Sequence, residues 1–453
     1  MKFTNTNDFL KTKTHQWGTA YKLTAEQELV KLALTSFVDK SFYEKATTQL
    51  ERIQELCSKV DKEFLIKLAV WGRKEWLRTI NQILLLEGLE SGYFPAGLNA
   101  LVKRPDELLE IVGYYALKNW QNLKNLKLAN KLKKALKKKL ESFDDYRIAK
   151  YRGKWEAINL YDLVNITHAY SPTIDKLMKG ELASAETWEK KLSTEGNNKQ
   201  SRQALLEEKN VWALAGIRNI RNMLKAGLSQ KEVLNYILES DFSKVFPYQA
   251  IQALHVCVEE RLVREDTPEF QQVLAKVWET FKYIANCYPG KIAVGIDCSW
   301  SMSHAINSKS NMTREWMALY YGQLLKDCSD NIDLYLWANN CCFVDVDVSM
   351  KQLVQVSNRI WGWTNIGSFT GAISNKEYDR AIILTDEQIG DAFTNVAKKG
   401  TVIWNLASYW NSMASSYDSK VQHFSGYNDA QWRLASSLFE IGDLVKKIKE
   451  IEL

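Results

Sequence analysis

Proline is scarce, with six in 453 residues, and no Gly/Ser-rich or low-complexity stretch interrupts the chain. Long flexible linkers and disordered arms are therefore not the expectation. The seven cysteines are odd in number, irregularly spaced and form no Cys-x-x-Cys pair; a disulfide scaffold does not suit a chain of this size, and reduced thiols in a cytoplasm fit best. The first thirty residues are polar and lack an apolar core of signal-peptide length, and no run reaches the roughly 18 apolar residues of a membrane span. The expectation is a cytoplasmic protein with no membrane partner. The five histidines, His15, His168, His255, His304 and His423, show no metal-ligand spacing. Neither a G-x-S-x-G elbow nor a Walker phosphate loop occurs, so nothing points to an enzyme. His304, three residues past Ser301, reads as a loop histidine without a catalytic partner.

What is present is length for two to four domains with sizeable cores and an uneven charge. The net charge is +6. Residues 1–290 hold 45 Lys and Arg against 36 Asp and Glu, whereas residues 291–453 hold 15 against 18. Residues 101–154 alone carry 15 basic and 6 acidic residues, which accounts for the whole N-terminal excess. A window of this kind is an electrostatic footprint for a polyanion.

From about Thr24 to Trp278 apolar residues recur at three- and four-residue spacing, as in Phe64, Leu65, Leu68, Ala69 and Trp71, which predicts helices. Short breaks at Gly92 to Pro95, Arg104-Pro105, Ser171-Pro172, Gly196 to Lys199 and Phe246-Pro247 punctuate helix pairs about 35 to 50 residues long, the pattern of a decayed helical repeat. The pattern changes at Tyr288-Pro289-Gly290. The apolar run Ile292 to Ile296 then predicts a buried parallel strand. After it come a helix (Met312 to Cys328), strands at Ile332 to Trp337 and Cys342 to Val346, and a helix at Lys351 to Ile360. A strand at Ala381 to Leu384, a helix, a strand at Val402 to Ala407 and a last helix from Asp429 to Lys449 complete the series. Strands alternating with helices predict a doubly wound, Rossmann-like α/β sheet. The division expected is 1–288 helical and 289–453 α/β, with ligands at the carboxyl ends of the strands.

Asp297, Asn339 and Asp386 fall at those ends. Asp297-Cys298-Ser299-Trp300-Ser301 reads D-x-S-x-S directly after the first strand, Thr364 lies in the loop Gly362-Trp363-Thr364-Asn365, and Asp386 follows another strand. By itself D-x-S-x-S also marks a helix cap or turn. With Thr364 and Asp386 at matching ends, the set predicts a divalent-cation site, Mg2+ being suited by hard oxygen donors. Ser299, Ser301 and Thr364 would bind directly and Asp297 and Asp386 would supply charge through bound water, leaving a coordination position for a carboxylate or another acidic group from a partner. These five residues resemble the metal-ion-dependent adhesion site of von Willebrand factor A domains, except that Trp363 stands where that family commonly has glycine and would narrow the site.

Lys124 to Lys139 places Leu128, Leu132 and Leu136 on one stripe and Lys127, Lys131, Lys134 and Lys138 on another. A solvated helix, a membrane-surface helix and a phosphate-binding face all predict this. A second cluster, Lys150-Tyr151-Arg152-Gly153-Lys154-Trp155, interleaves aromatic and basic groups as nucleic-acid surfaces do.

Taken together, a helical-repeat half and a metal-site A domain resemble the TROVE family of Ro ribonucleoprotein autoantigens and their bacterial and phage relatives. The local matches are Tyr161 to His168 with Pro172 after it, Ala213 to Asn219, Phe246 to Leu254, Asp297 to Met302, and Phe424 to Tyr427. The resemblance implies a HEAT-like ring of helices closed by the A domain. It implies binding of small Y or Y-like RNAs and of single-stranded 3′ ends of misfolded RNA, by a monomeric scaffold for RNA quality control. It further places Lys150, Lys154 and His168 at the RNA-contacting surface, with Arg152 and Arg218 beside matched residues. The other reading is a protein-interaction scaffold whose metal site captures an acidic residue of a ribonuclease or other protein; a two-metal nuclease would need more carboxylates than Asp297 and Asp386.

Overall fold

Prolines and polar caps set where the helices begin. Pro105, Pro172, Pro247 and Pro268 each occupy a first helical position, where a missing N–H costs nothing. Asp61, Asn159, Ser171 and Ser229 each accept a backbone N–H with the side chain ahead of a helix, satisfying donors the helix leaves open. The structure, a computed structural model, describes residues 11–13, 19–35, 46–75, 80–153, 158–183, 188–196, 198–207, 213–242, 245, 247–285, 290–306, 312–328, 331–344, 350–407, 411–414, 418, 420–426 and 444–453. Two strands come first, β1 (Lys11–Lys13) and β2 (Thr19–Lys22). The helices that follow are α1 (Ala25–Thr35), α2 (Ala46–Ser58), α3 (Lys62–Lys74), α4 (Ile80–Glu87), α5 (Phe94–Leu101), α6 (Pro105–Lys118), α7 (Asn130–Glu141) and α8 (Asp145–Tyr151). Next are α9 (Leu160–Thr167), α10 (Pro172–Lys179), α11 (Trp188–Glu195), α12 (Lys199–Glu207), α13 (Ala213–Lys225), α14 (Gln230–Glu239), α15 (Pro247–Glu259) and α16 (Pro268–Ala285).

Packing divides the chain differently from element type. One compact unit consists of residues 53–205 with 446–453, the other of residues 1–52 with 206–445. In the first, the short helices pack with sequence neighbours and next neighbours, as in α3 with α4 and α5, and α6 with α8 and α9. The last helix, α20 (Leu444–Lys449), ends against this unit, where Lys67 donates to the Lys449 carbonyl at 2.7 Å. In α7, Leu132, Leu136 and Leu140 are fully buried, whereas Lys131, Lys134 and Lys138, and Lys127 just ahead of the helix, are exposed. The apolar stripe is consumed by the core, which leaves nothing for a membrane-surface helix to insert.

In the second unit a six-stranded sheet carries the site. Its strands are β3 (Ile292–Asp297), β4 (Ile332–Trp337), β5 (Cys341–Val344), β6 (Arg380–Thr385), β7 (Gly400–Asn405) and β9 (Val421–Ser425), in the order β5-β4-β3-β6-β7-β9. All neighbours are parallel except the edge strand β5. The central strand β3 is buried at every residue, which is why its sequence is a continuous apolar run. Helices α17 (Arg314–Cys328), α18 (Met350–Ile360) and α19 (Ile366–Ser374) complete the layers. The order reverses on either side of β3, which makes its carboxyl end a switch point.

Two expectations change. The helix expected between the strands now named β6 and β7 is absent: residues 386–399 are irregular. That backbone is spent elsewhere, because Gly390 N donates to the Thr364 carbonyl at 2.8 Å and the Asp391 carboxylate takes the Ile366 and Gly367 N–H groups at 3.0 and 2.7 Å. The helix instead lies earlier, as α19, whose first turn Asp391 thus caps. The parallel strand β9 was not anticipated, since Val421-Gln422-His423 mixes apolar and polar groups. Of the expected last helix only residues 444–449 lie within the described residues.

The N-terminal segment also joins this unit. β2 pairs with β8 (Asn411–Ser412) in the register Tyr21 to Ser412, and α1 packs on β9.

Candidate functional site

At the carboxyl end of β3 the chain turns on Asp297. One Asp297 oxygen accepts Ser299 N at 2.9 Å and the other accepts the Thr385 hydroxyl from the end of β6 at 2.6 Å. The turn brings the Ser299 and Ser301 hydroxyls within 3.4 Å of each other. Ser299 forms an isolated parallel bridge with Gly362, and Trp300 N donates to the Gly362 carbonyl at 3.2 Å. Gly362 packs closely on Asn339, since a Cβ there would lie 2.7 Å from the Asn339 amide nitrogen; Asn339 Oδ1 in turn accepts Trp363 N at 3.1 Å. Two residues on, Thr364 is 1% exposed, and its hydroxyl is buried with no hydrogen-bond partner. Asp386 follows β6, is fully buried, and accepts Gln388 N at 3.3 Å.

Asp297, Ser299, Ser301, Thr364 and Asp386 are therefore all buried at one end of the sheet, on three loops tied together by the contacts above. The sequence missed a sixth participant. Arg314, the first residue of α17, is 2% exposed and reaches Asp386 Oδ2 at 3.4 Å and the Ser301 carbonyl at 3.3 Å. Burial first, and the Asp386 charge second, push the Asp297 carboxyl up to about 7. Two carboxylates and three hydroxyls are an all-oxygen donor set, and an orphaned buried hydroxyl such as that of Thr364 costs free energy unless something binds it. These residues fit a hard divalent cation. Among the described residues no group of three or more His, Cys, Asp or Glu forms an alternative metal site. Trp363 does not fill the centre, as its side chain is 74% exposed.

Next to Asp386, Glu387 adopts a left-handed backbone with φ +61°. Its carboxylate meets Lys31 of α1 at 2.5 Å and accepts from Asn405, Ser412 and the Met413 N–H at 2.7 to 2.9 Å. Burial opposes that charge, but Lys31 and then His423 outweigh it, and the Glu387 carboxyl lies below its ordinary range.

The expected RNA-facing residues divide. Lys150, on α8, is half-buried with its ammonium 5.8 Å from the Tyr146 ring centre. Arg152 donates to the Leu182 carbonyl at 2.9 Å and is partly committed to the fold. His168 is exposed at the left-handed end of α9, with φ 52°. Arg218 is exposed on α13, in the other compact unit. Lys154 lies outside the described residues.

Sequence reading also missed three exposed aromatics in the helical unit. Trp120 is 94% exposed, Tyr170 73% and Tyr146 56%. Tyr170 N donates to Glu141 at the end of α7 at 2.8 Å, and Asp145 at the start of α8 holds Thr173 and Lys176 of α10 at 2.5 and 2.7 Å. The end of α7 is thus tied to Tyr170 and the start of α8 to α10, within the compact unit that also carries the α7 lysines, Tyr146, Lys150 and His168. Trp120 holds a left-handed backbone, φ 52°, just past α6, where glycine is favoured.

No curated protein matches the chain by sequence. Among solved structures, the Ro (Rsr) protein of Deinococcus radiodurans is similar, with TM-score 0.59 and 12% identity over 92% of this chain and 100% of that one. The TROVE domain matches residues 19–156 and 171–324, which is well over half of the chain, spans both compact units and reaches through the D-x-S-x-S loop into α17. The chain belongs to the TROVE domain family.

Proposed function

We propose that this TROVE protein is a non-enzymatic RNA-binding protein of Ro type, taking small structured RNA of Y-like kind and single-stranded 3′ ends as a scaffold for RNA quality control. The observation that carries the reading is that one compact unit exposes the lysines Lys127, Lys131, Lys134 and Lys138 together with Tyr146, His168 and Tyr170, Lys150 lying near the Tyr146 ring. Lysines neutralise phosphates without reading sequence, and exposed rings stack on unpaired bases. The test is filter binding of a structured RNA with a single-stranded tail, across a salt series. Charge reversal at Lys134 and Lys138 should weaken binding to all such RNAs alike, and unchanged affinity would remove the reading.

A second reading concerns the sheet end, and the buried, partnerless Thr364 hydroxyl favours it. A divalent ion, Mg2+ by donor chemistry, would be held by Ser299, Ser301 and Thr364, with Asp297 and Asp386 supplying charge. Bound there, it would act as a Lewis acid for one anionic oxygen of a partner. The chain's own residues prepare the place. Thr385 and Ser299 orient Asp297, and Arg314 holds positive charge against Asp386. Isothermal titration of Mg2+ into the protein and into Asp297→Asn tests this, with loss of the binding isotherm in the variant expected.

A further inference from the structure

Three tryptophans stand exposed where the metal-site loops meet solvent. Trp300 is 53% exposed, Trp361 51% and Trp363 74%. Trp300 lies between the two serines of the D-x-S-x-S turn, while Trp361 and Trp363 flank Gly362, the residue that bridges to Ser299 and takes Trp300 N–H. The backbone contacts therefore set the three indoles round the same few ångströms of main chain, beside Ser299 and Thr364. Trp300 is steadied by the edge of His304, ring centres 5.3 Å apart. Large rings left in water at one place mark a recognition surface, and tryptophan is the residue most enriched where binding energy concentrates.

We infer that these tryptophans form a collar that selects, for the metal centre, a protein segment presenting one Asp or Glu carboxylate among apolar side chains. Charge decides the occupant. Neither residues 298–306 nor residues 361–375 contain a Lys or Arg, and the neighbouring loops 338–340 and 386–391 contain none either. Glu387 is already neutralised by Lys31. With a divalent ion in place, the ion and the Arg314 guanidinium outweigh the Asp297 and Asp386 carboxylates by one positive charge. One carboxylate balances it. A nucleic acid would bring further phosphates to a region whose net charge is negative, with 15 Lys and Arg against 18 Asp and Glu in residues 291–453, unlike the aromatic and basic surface of the helical unit. The collar thus assigns different partners to the two surfaces.

This inference rests on the metal reading, so its test separates the two. The full-length protein is titrated with Mg2+ alone by calorimetry, and then, with Mg2+ saturating, with fluorescein-labelled peptides carrying a central Asp or Asn amid apolar flanks. A labelled oligouridine serves as the competing probe. The Asp peptide is expected to bind, and to weaken by about tenfold or more with EDTA, with Asn in place of Asp, or in the double variant Trp361→Ala, Trp363→Ala. In that variant Mg2+ affinity should stay within about threefold, and Trp363→Phe alone should retain most of the peptide affinity. Failure of Mg2+ to bind overturns the metal reading and the collar together. Mg2+ binding with no carboxylate-dependent peptide binding, or with peptide binding indifferent to the tryptophans, overturns the collar alone. Oligouridine binding that needs both Mg2+ and the tryptophans replaces the protein partner with a nucleic acid.

Discussion

Lys31 and Glu387 stand 356 positions apart in the chain, yet their charged atoms meet at 2.5 Å with side chains 3% and 0% exposed. The pair ties α1 to the residue that follows Asp386. Removing one partner of such a pair leaves a desolvated charge and costs about 3–5 kcal/mol. Lys31→Met should therefore destabilise strongly in urea unfolding followed by tryptophan fluorescence. Adding Glu387→Gln should recover part of the loss, because the remaining group is then neutral. A double variant as unstable as the sum of the singles would show that the hydrogen bonds to Glu387, not its charge, carry the stability.

Thr364→Val probes the sheet end without a confounding loss of fold. The threonine hydroxyl has no protein partner, so its removal should change metal-free stability by less than about 1 kcal/mol. Mg2+ affinity should fall by about tenfold or more. Calorimetry and thermal melts read the two quantities separately, and equal losses in both would contradict the assignment.

The raised Asp297 carboxyl predicts a pH dependence. Its folded pKa of about 7 exceeds the ordinary 3.8, so between those values the folded state binds more protons than the unfolded one. Metal-free stability should then fall as pH rises from about 4 to about 7 and flatten above it. Saturating Mg2+ should abolish the slope, since the ion takes the place of the proton. Thermal melts at pH 5 to 8, with Mg2+ or EDTA, measure this.

Trp120 offers a trade between stability and binding. A side chain in the left-handed region costs about 1–2 kcal/mol, so Trp120→Gly should raise the stability of the protein by about 1 kcal/mol. The same change should weaken binding of a single-stranded RNA tail by about 1–3 kcal/mol, the loss of one stacked base. Gains in stability with no loss of affinity would mean that the exposed ring does not meet RNA.

The sequence was most readable where one element decides its own environment. Ile292 to Ile296 is apolar because β3 is buried on both faces, and Leu132, Leu136 and Leu140 recur at helical spacing because one face of α7 is covered. Asp297, Ser299, Ser301, Thr364 and Asp386 could be assembled from their places at strand ends. Arg314 could not, because a lysine or arginine opening a helix ordinarily reads as exposed. Lys31 was hidden for the same reason. Trp120 became visible only once the path of the chain beyond α6 was known. The misplaced helix before β7 failed because the Asp391 side chain and Gly390 N–H serve the neighbouring loop and α19, a demand that no local pattern in residues 386–399 reveals.

The division of the chain into residues 53–205 with 446–453, and 1–52 with 206–445, bears on how the protein is made. During synthesis the segment with α1 and β2 must wait for β8, β9 and Glu387, more than 350 residues later. The helices of residues 53–205 emerge next and can pack at once through local contacts, but the carbonyl that Lys67 holds arrives only with Lys449. Each unit joins segments far apart in the chain, so loss of residues 446–453 would expose part of the helical unit, whereas loss of α1 would strand Glu387 in the sheet without its lysine. The order in which the chain is made therefore differs from the order in which its units can close.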